Sequence, residues 1–128
     1  MSLVTPLNRV LGLGSAKDGT EHWWGQRLSA VALVVLGVWL TVSVTAFESF
    51  AYTVVVTWMQ APLNCVMLIL TVLTLAYHSQ LGVQMVVEDY VHAAGLKIAT
   101  LIVSTFIHGL LAVAGVFSLL KLAFGAQG

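Results

Sequence analysis

Charged side chains are scarce in this chain of 128 residues, which has only five basic and five acidic residues. Charged residues make up 8% of the chain and hydrophobic residues 59%, and the mean hydropathy is +0.99. A soluble domain of this size needs far more charge to cover its surface. The single cysteine, Cys65, excludes an internal disulfide framework and a cysteine-based metal site. The formal net charge of zero says nothing about nucleic acid, which is not expected as a partner.

Three long runs without any charge determine the fold class. They are Leu28–Phe47, Ser49–Val87 and Ile98–Leu120, of 20, 39 and 23 residues. Roughly 20 helical residues cross a hydrocarbon core of about 30 Å, so each run is long enough to span a membrane. The runs lack the alternation of a transmembrane β-barrel, and lipid does not tolerate open sheet edges. The sequence therefore predicts an all-α integral membrane protein with three transmembrane helices.

The middle run is too long for one span at ordinary tilt. Proline suits the first turn of a helix, so Pro62 is the predicted start of the second span. The predicted spans are 28–47, 62–87 and 98–120, within a membrane domain that covers residues 28–128. Residues 49–60 are predicted to lie along the membrane interface.

Residues 1–27 are predicted to form a cytoplasmic segment that ends in an interfacial collar, His22-Trp23-Trp24-Gly25-Gln26-Arg27. Tryptophan favours the headgroup zone, and an arginine at a helix end can extend back to it. Residues 1–24 lack the apolar core and cleavage site of a secretory signal. We therefore expect residues 28–47 to be retained as the first span. The missing transit peptide favours a bacterial inner membrane over a mitochondrial one.

The distribution of basic residues predicts the orientation. If the N-terminus lies inside, four of the five basic residues lie on the inner side of the membrane and only Lys121 lies outside. Those on the inside are Arg9, Lys17, Arg27 and Lys97. The positive-inside rule then favours an N-in, C-out arrangement.

His78 is the first candidate site residue because it lies about ten residues inside the second span. Ionisable groups at that depth are uncommon and often functional, and a neutral imidazole is a common axial haem ligand. Gly82, one turn later on the same face, leaves room for a flat porphyrin. The alternative is a packing histidine that is hydrogen-bonded to a neighbouring helix. His108 reaches a similar depth in the third span, so either histidine, or both, can be proposed as ligands.

Asp89 and Tyr90 close the second span, and eleven residues place Asp89 within roughly 20° of the face of His78. A phenol can donate a hydrogen bond to a quinone carbonyl, with a carboxylate beside it. The alternative is a span boundary followed by an aromatic belt. At the mouth of the first span, Arg27 suits a propionate or phosphate, with His22 nearby, or else acts as an interfacial anchor.

Two motifs together resemble a known family. They are His22-Trp23-Trp24-x-Gln26-Arg27-x-Ser29-Ala30 before the first span, and His78-x3-Gly82-x6-Asp89-Tyr90 in the second. They are similar to the small hydrophobic (D-type) membrane anchor subunits of succinate dehydrogenase, complex II. The likeness covers nearly the whole chain and is strongest to alphaproteobacterial members.

The resemblance implies a four-subunit enzyme that links the tricarboxylic acid cycle to the respiratory chain. Its other members are a flavoprotein, an iron–sulfur protein and a second membrane anchor, and the two anchors bind haem b and ubiquinone. His78 resembles the axial haem ligand from this anchor, while Arg27, His22 and Gly82 would lie near the haem. Tyr90 and Asp89 resemble the ubiquinone-binding pair. By itself the chain is then expected to have no enzymatic activity.

Two other interpretations stay open on the sequence. The chain can be a structural anchor that binds no cofactor, or a self-contained cytochrome b that uses both His78 and His108 as ligands. His78→Leu leaves the spectra unchanged under the first interpretation. His108→Leu abolishes the haem signal under the second.

Overall fold

The computed structural model describes residues 16–125 and is helical almost throughout. The helices are α1 (Ala16–Thr45), α2 (Tyr52–Gln60), α3 (Pro62–Tyr90) and α4 (Ala94–Gly125). No strand occurs in this range. Residues 1–15, which hold most of the predicted N-terminal segment, lie outside the described part. The predicted all-α membrane fold with three spans is confirmed, since α1, α3 and α4 are each long and apolar enough to cross a membrane.

The helices continue past several of the predicted spans, because helical hydrogen bonding does not stop where the hydrocarbon core ends. The collar from His22 to Arg27 is part of α1. α3 begins at Pro62, the residue predicted to start the second span, and a proline there gives up no helical hydrogen bond. Only residues 91–93 separate α3 from α4.

The turn between α3 and α4 is closed by polar contacts with the backbone. The amide of Val91 donates to the carbonyl of Val87 at 3.0 Å, and the Lys97 ammonium donates to the carbonyl of Glu88 at 2.8 Å. A cation at the C-terminus of a helix also interacts favourably with the helix dipole. The short connection makes α3 and α4 antiparallel neighbours.

The short helix α2 packs near the opposite end of the molecule. Trp58 of α2 stacks on Trp39 of α1 at 5.6 Å between ring centroids, and Phe47 meets Trp58 edge-on at 5.3 Å. The Asn64 amide donates to the carbonyl of Trp58 at 2.8 Å. Tryptophan rings of this kind are typical of a membrane interface.

The three long helices form a row rather than a closed bundle. α3 lies in the middle and packs against α1 on one side and α4 on the other, and within residues 16–125 no contact joins α1 to α4. Few side chains are buried among the described residues: Ser29, Leu36, Cys65, Leu81, Val87 and Leu119. Both faces of the row therefore remain available to lipid or to other helices.

Candidate functional site

The seam between α1 and α3 brings together most of the predicted site residues. The two helices run antiparallel: Ser29 lies opposite His78, Gln26 opposite Gly82, and His22 shares a cavity with Met85. Steps of three and four residues keep these positions on the facing sides of the helices. The seam thus runs from a half-buried histidine to a polar mouth.

The ring of His78 is held by one of its two nitrogens. Its Nδ1 lies 2.9 Å from the hydroxyl oxygen of Ser29. Its Nε2 makes no hydrogen bond with any described residue and is not closed off by this chain. A neutral imidazole in this state can offer Nε2 to a metal ion.

Gly82 leaves a bare surface one turn from His78. A Cβ atom added there would meet no side chain nearer than the Gln26 amide nitrogen, at 3.9 Å. Packing within the described chain therefore does not require a glycine at this position. The bare surface leaves room for a flat group to approach the helix.

A cavity of about 570 Å³ opens at the mouth of the seam, lined by His22, Trp23, Gln26, Arg27, Gln84, Met85 and Glu88. Two of its buried polar atoms, His22 Nε2 and Gln26 Oε1, have no hydrogen-bond partner. Buried polar atoms are normally paired, so these two indicate a missing partner. The Gln84 amide donates to a Glu88 carboxylate oxygen at 2.8 Å, which occupies part of the acidic side chain.

Arg27 lies at the edge of this cavity. Its guanidinium carbon is 4.9 Å from the ring centroid of Trp23, so the side chain lies over the indole. This cation–π contact holds the arginine near the cavity and leaves its N–H groups available to an anion.

Asp89 and Tyr90 lie at the end of α3 but outside the lining of the cavity. Tyr90 is 77% exposed and Asp89 is also exposed. Glu88, which precedes them, takes the position in the cavity wall. The chain therefore displays the acid–phenol pair on its surface and does not enclose a pocket around it.

His108 belongs to the other seam, between α3 and α4. Its Nδ1 donates to the carbonyl of Ser104 at 2.8 Å, and its Nε2 lies 3.1 Å from the hydroxyl of Ser79. Both ring nitrogens are thus engaged by side chains or backbone of this chain. His78 of α3 thus faces α1, whereas His108 of α4 packs against the other side of α3.

Sequence reasoning missed several members of the site. No site role was predicted for Gln84 or Glu88. Ser29 and Gln26 were named only as parts of a motif. A signal was present, because residues 22, 26 and 29 follow the three-and-four spacing of one helix face. Among the described residues no three His, Cys, Asp or Glu side chains are grouped as a metal site.

Comparisons with known proteins show the family of the chain. Residues 1–118 match the model of the succinate dehydrogenase/fumarate reductase transmembrane subunit family. The succinate dehydrogenase hydrophobic membrane anchor subunit of Rickettsia bellii is 34% identical over 100 residues, which cover 78% of this chain and 79% of that one.

Two further relatives extend the likeness. The same subunit of Paracoccus denitrificans is 29% identical over 126 residues, 98% of this chain and 97% of that one. The succinate dehydrogenase membrane anchor subunit of Reclinomonas americana is 28% identical over 96 residues, 73% of this chain and 80% of that one. No solved structure gives a match. With a family match over most of its length, the chain belongs to the succinate dehydrogenase/fumarate reductase transmembrane subunits.

Proposed function

We propose that this chain supplies His78 as one axial ligand of a haem b shared with a second membrane anchor, and Tyr90 to a ubiquinone site. The general role of the chain is established by its relatives: it is a membrane anchor subunit of succinate dehydrogenase. It is a multi-pass protein of the bacterial inner membrane, as its three apolar helices and bacterial relatives indicate.

One observation carries the haem assignment: His78 is held through Nδ1 by Ser29, while its Nε2 has no partner among the described residues and Gly82, one turn along α3, leaves a bare surface. The bond to Ser29 alone would also suit a histidine that packs helices together, so the free Nε2 is the distinguishing feature. An iron ligand must keep one nitrogen lone pair free and needs space for a flat ring.

The cavity at the mouth of the seam suits the carboxylate groups of a haem. Arg27 and the unpartnered His22 Nε2 can donate hydrogen bonds to a carboxylate. The Gln26 amide can also donate once its oxygen and nitrogen exchange places, an assignment that is a choice between two orientations. The negative charge of Glu88 disfavours an anion there, but one of its carboxylate oxygens already accepts a hydrogen bond from the Gln84 amide.

Tyr90 and Asp89 are proposed to contribute to ubiquinone binding. The Tyr90 hydroxyl makes no hydrogen bond with any described residue, so it can donate one to a quinone carbonyl. Because Tyr90 is displayed rather than enclosed, the remaining walls of the site must come from partner subunits. When bound, haem b supplies a one-electron centre and ubiquinone accepts two electrons and two protons, while the protein supplies ligation and orientation.

The proposed partners are the second membrane anchor, the flavoprotein and the iron–sulfur protein. The open row of three helices supports this, since both of its faces are available to other helices. The second anchor would cover the face that carries Gly82. The two soluble subunits would dock on the side of the mouth.

The haem assignment is tested by the haem content of the purified complex, normalised to its flavoprotein. His78→Leu is expected to lose the b-type signal or shift it strongly. His92→Leu is the matched control because this exposed histidine follows α3 and contacts only the Tyr90 carbonyl, at 3.1 Å. Unchanged haem in an assembled His78→Leu complex would contradict the proposal and leave His108 or a residue of another chain as the ligand.

We also propose that the chain is oriented N-in, C-out. Arg27 and Lys97 lie at the end of the row that holds the cavity, and Lys121 lies near the other end. The positive-inside rule places the cavity and Tyr90 on the cytoplasmic side. Alkaline phosphatase fused after Gly128 should be active, and a fluorescent protein fused there should be dark. The reverse pattern would contradict this orientation.

A further inference from the structure

Ser29 is the one buried polar side chain among residues 20–125, with 6% of its surface exposed. Its hydroxyl oxygen has three polar neighbours. The carbonyl oxygens of Gly25 and Gln26 lie at 2.7 and 3.1 Å, and His78 Nδ1 lies at 2.9 Å. A buried hydroxyl with three partners is constrained in which bonds it donates and which it accepts.

A count of protons fixes these roles. A serine hydroxyl has one proton and two acceptor lone pairs, and a backbone carbonyl can only accept. If the hydroxyl donated to His78, its lone pairs would face two carbonyl oxygens with no proton between them. The proton therefore belongs to the short contact with the Gly25 carbonyl, and His78 Nδ1 must be the donor in the third bond.

This arrangement determines the tautomer of the histidine. With its proton on Nδ1, a neutral imidazole has its lone pair on Nε2, the nitrogen that has no partner among the described residues. The bond also fixes the rotation of the ring. A second helix thus sets both properties that a metal-ligating histidine needs.

We propose that Ser29 is a positioning residue that holds His78 in its Nδ1–H tautomer and presents Nε2 to the haem iron. This inference rests on the proposed role of His78. A ring that donates from Nδ1 has greater electron density at Nε2 and is a stronger ligand. Ser29 would therefore stabilise the ferric state and lower the midpoint potential of the haem.

The test compares Ser29→Ala and Ser29→Thr in the complete complex. In Ser29→Ala the midpoint potential should rise, the low-spin ferric EPR signal should move, and haem affinity should fall about 10- to 100-fold. Ser29→Thr keeps a hydroxyl and should return the potential and the EPR signal towards those of the wild type. If Ser29→Ala fails to assemble, the nearly isosteric Ser29→Cys should show a smaller shift in the same direction.

Ser118→Ala is the matched control. The Ser118 hydroxyl also donates to the carbonyl four residues earlier, that of Ala114, at 2.7 Å, but it has no histidine partner. Loss of this bond should change neither the potential nor the EPR signal. A shift in Ser118→Ala as large as that in Ser29→Ala would overturn the inference, because it would show a general effect of removing a helix hydroxyl.

The ligand role of His78 and the positioning role of Ser29 can be overturned separately. If His78→Leu keeps the wild-type haem signal, the proposed ligand is wrong and Ser29 has no ligand to position. If His78→Leu loses the signal while Ser29→Ala keeps the wild-type potential and EPR signal, the ligand stands and the role of Ser29 is overturned.

Discussion

The two seams of α3 each contain a histidine within the membrane span, but they treat its ring differently. On the α1 side, His78 is hydrogen-bonded through Nδ1 to Ser29, and its Nε2 has no hydrogen-bond partner among the described residues. On the α4 side, both ring nitrogens of His108 are hydrogen-bonded: Nδ1 donates to the Ser104 carbonyl, and Nε2 contacts the Ser79 hydroxyl. Two histidines at similar depth in the membrane are thus distinguished by their hydrogen bonds.

Both seams contain a glycine that packs closely against the neighbouring helix. On the α1 side, a Cβ atom added to Gly25 would lie only 2.7 Å from the hydroxyl oxygen of Tyr77. On the α4 side, a Cβ atom added to Gly115 would lie only 2.7 Å from a methyl carbon of Val72. The α1 side differs at Gly82, where no heavy atom lies nearer than 3.9 Å to an added Cβ, and a cavity lies one turn further on. The α1 seam is therefore closely packed at Gly25 but has room for another group from Gly82 towards the mouth.

Gly82→Leu should have the largest effect, because it fills the open surface beside His78. We expect most of the haem to be lost from the assembled complex, measured as haem per flavin. Gly37→Leu is the control, since Gly37 lies in α1 with no side chain within 4 Å of its added Cβ. Wild-type haem content in Gly82→Leu would show that the open surface is not where the haem lies.

Gly115→Ala should destabilise the packing of α4 on α3 without affecting the packing of α1 on α3. The Val72 side chain is branched and stiff, so it cannot move away easily, and overpacking of this kind costs about 1–3 kcal/mol. The melting temperature of the complex in detergent should fall, while the haem spectrum of the folded fraction stays the same. Gly109→Ala, which has nothing within 4 Å, should not lower the melting temperature.

Tyr90→Phe should have a smaller effect, confined to the quinone. A single hydrogen bond contributes about 0.5–1.5 kcal/mol, so ubiquinone reduction should fall roughly 2- to 10-fold. Reduction of a soluble dye by succinate should be unchanged. Tyr52→Phe is the control, because Tyr52 is equally exposed, at 77%, but begins α2. An equal loss in both variants would argue against a specific role for Tyr90.

The sequence was sufficient to predict the spans and the single-helix relations. Charge-free runs mark the three spans, and the helical repeat places Gly82 on the face of His78. The start of α3 at Pro62 follows from the backbone chemistry of proline.

Relations between helices could not be predicted. The pairing of Ser29 with His78 depends on the register of α1 against α3, and uniformly apolar spans contain no pattern that fixes it. The same register brings His22 to the cavity that Glu88 lines. Tyr90 is a candidate because of its position at the end of a span, and its exposed side chain leaves the walls of the proposed site to other chains.

The most direct test of the difference between the two seams is a reduced-minus-oxidised visible spectrum of the complex carrying His78→Leu or His108→Leu. We expect the b-type signal to be lost or strongly shifted in His78→Leu and to remain in His108→Leu. An unchanged signal in His78→Leu, or its loss from a correctly assembled His108→Leu complex, would contradict the assignment of His78 as the haem ligand of this subunit.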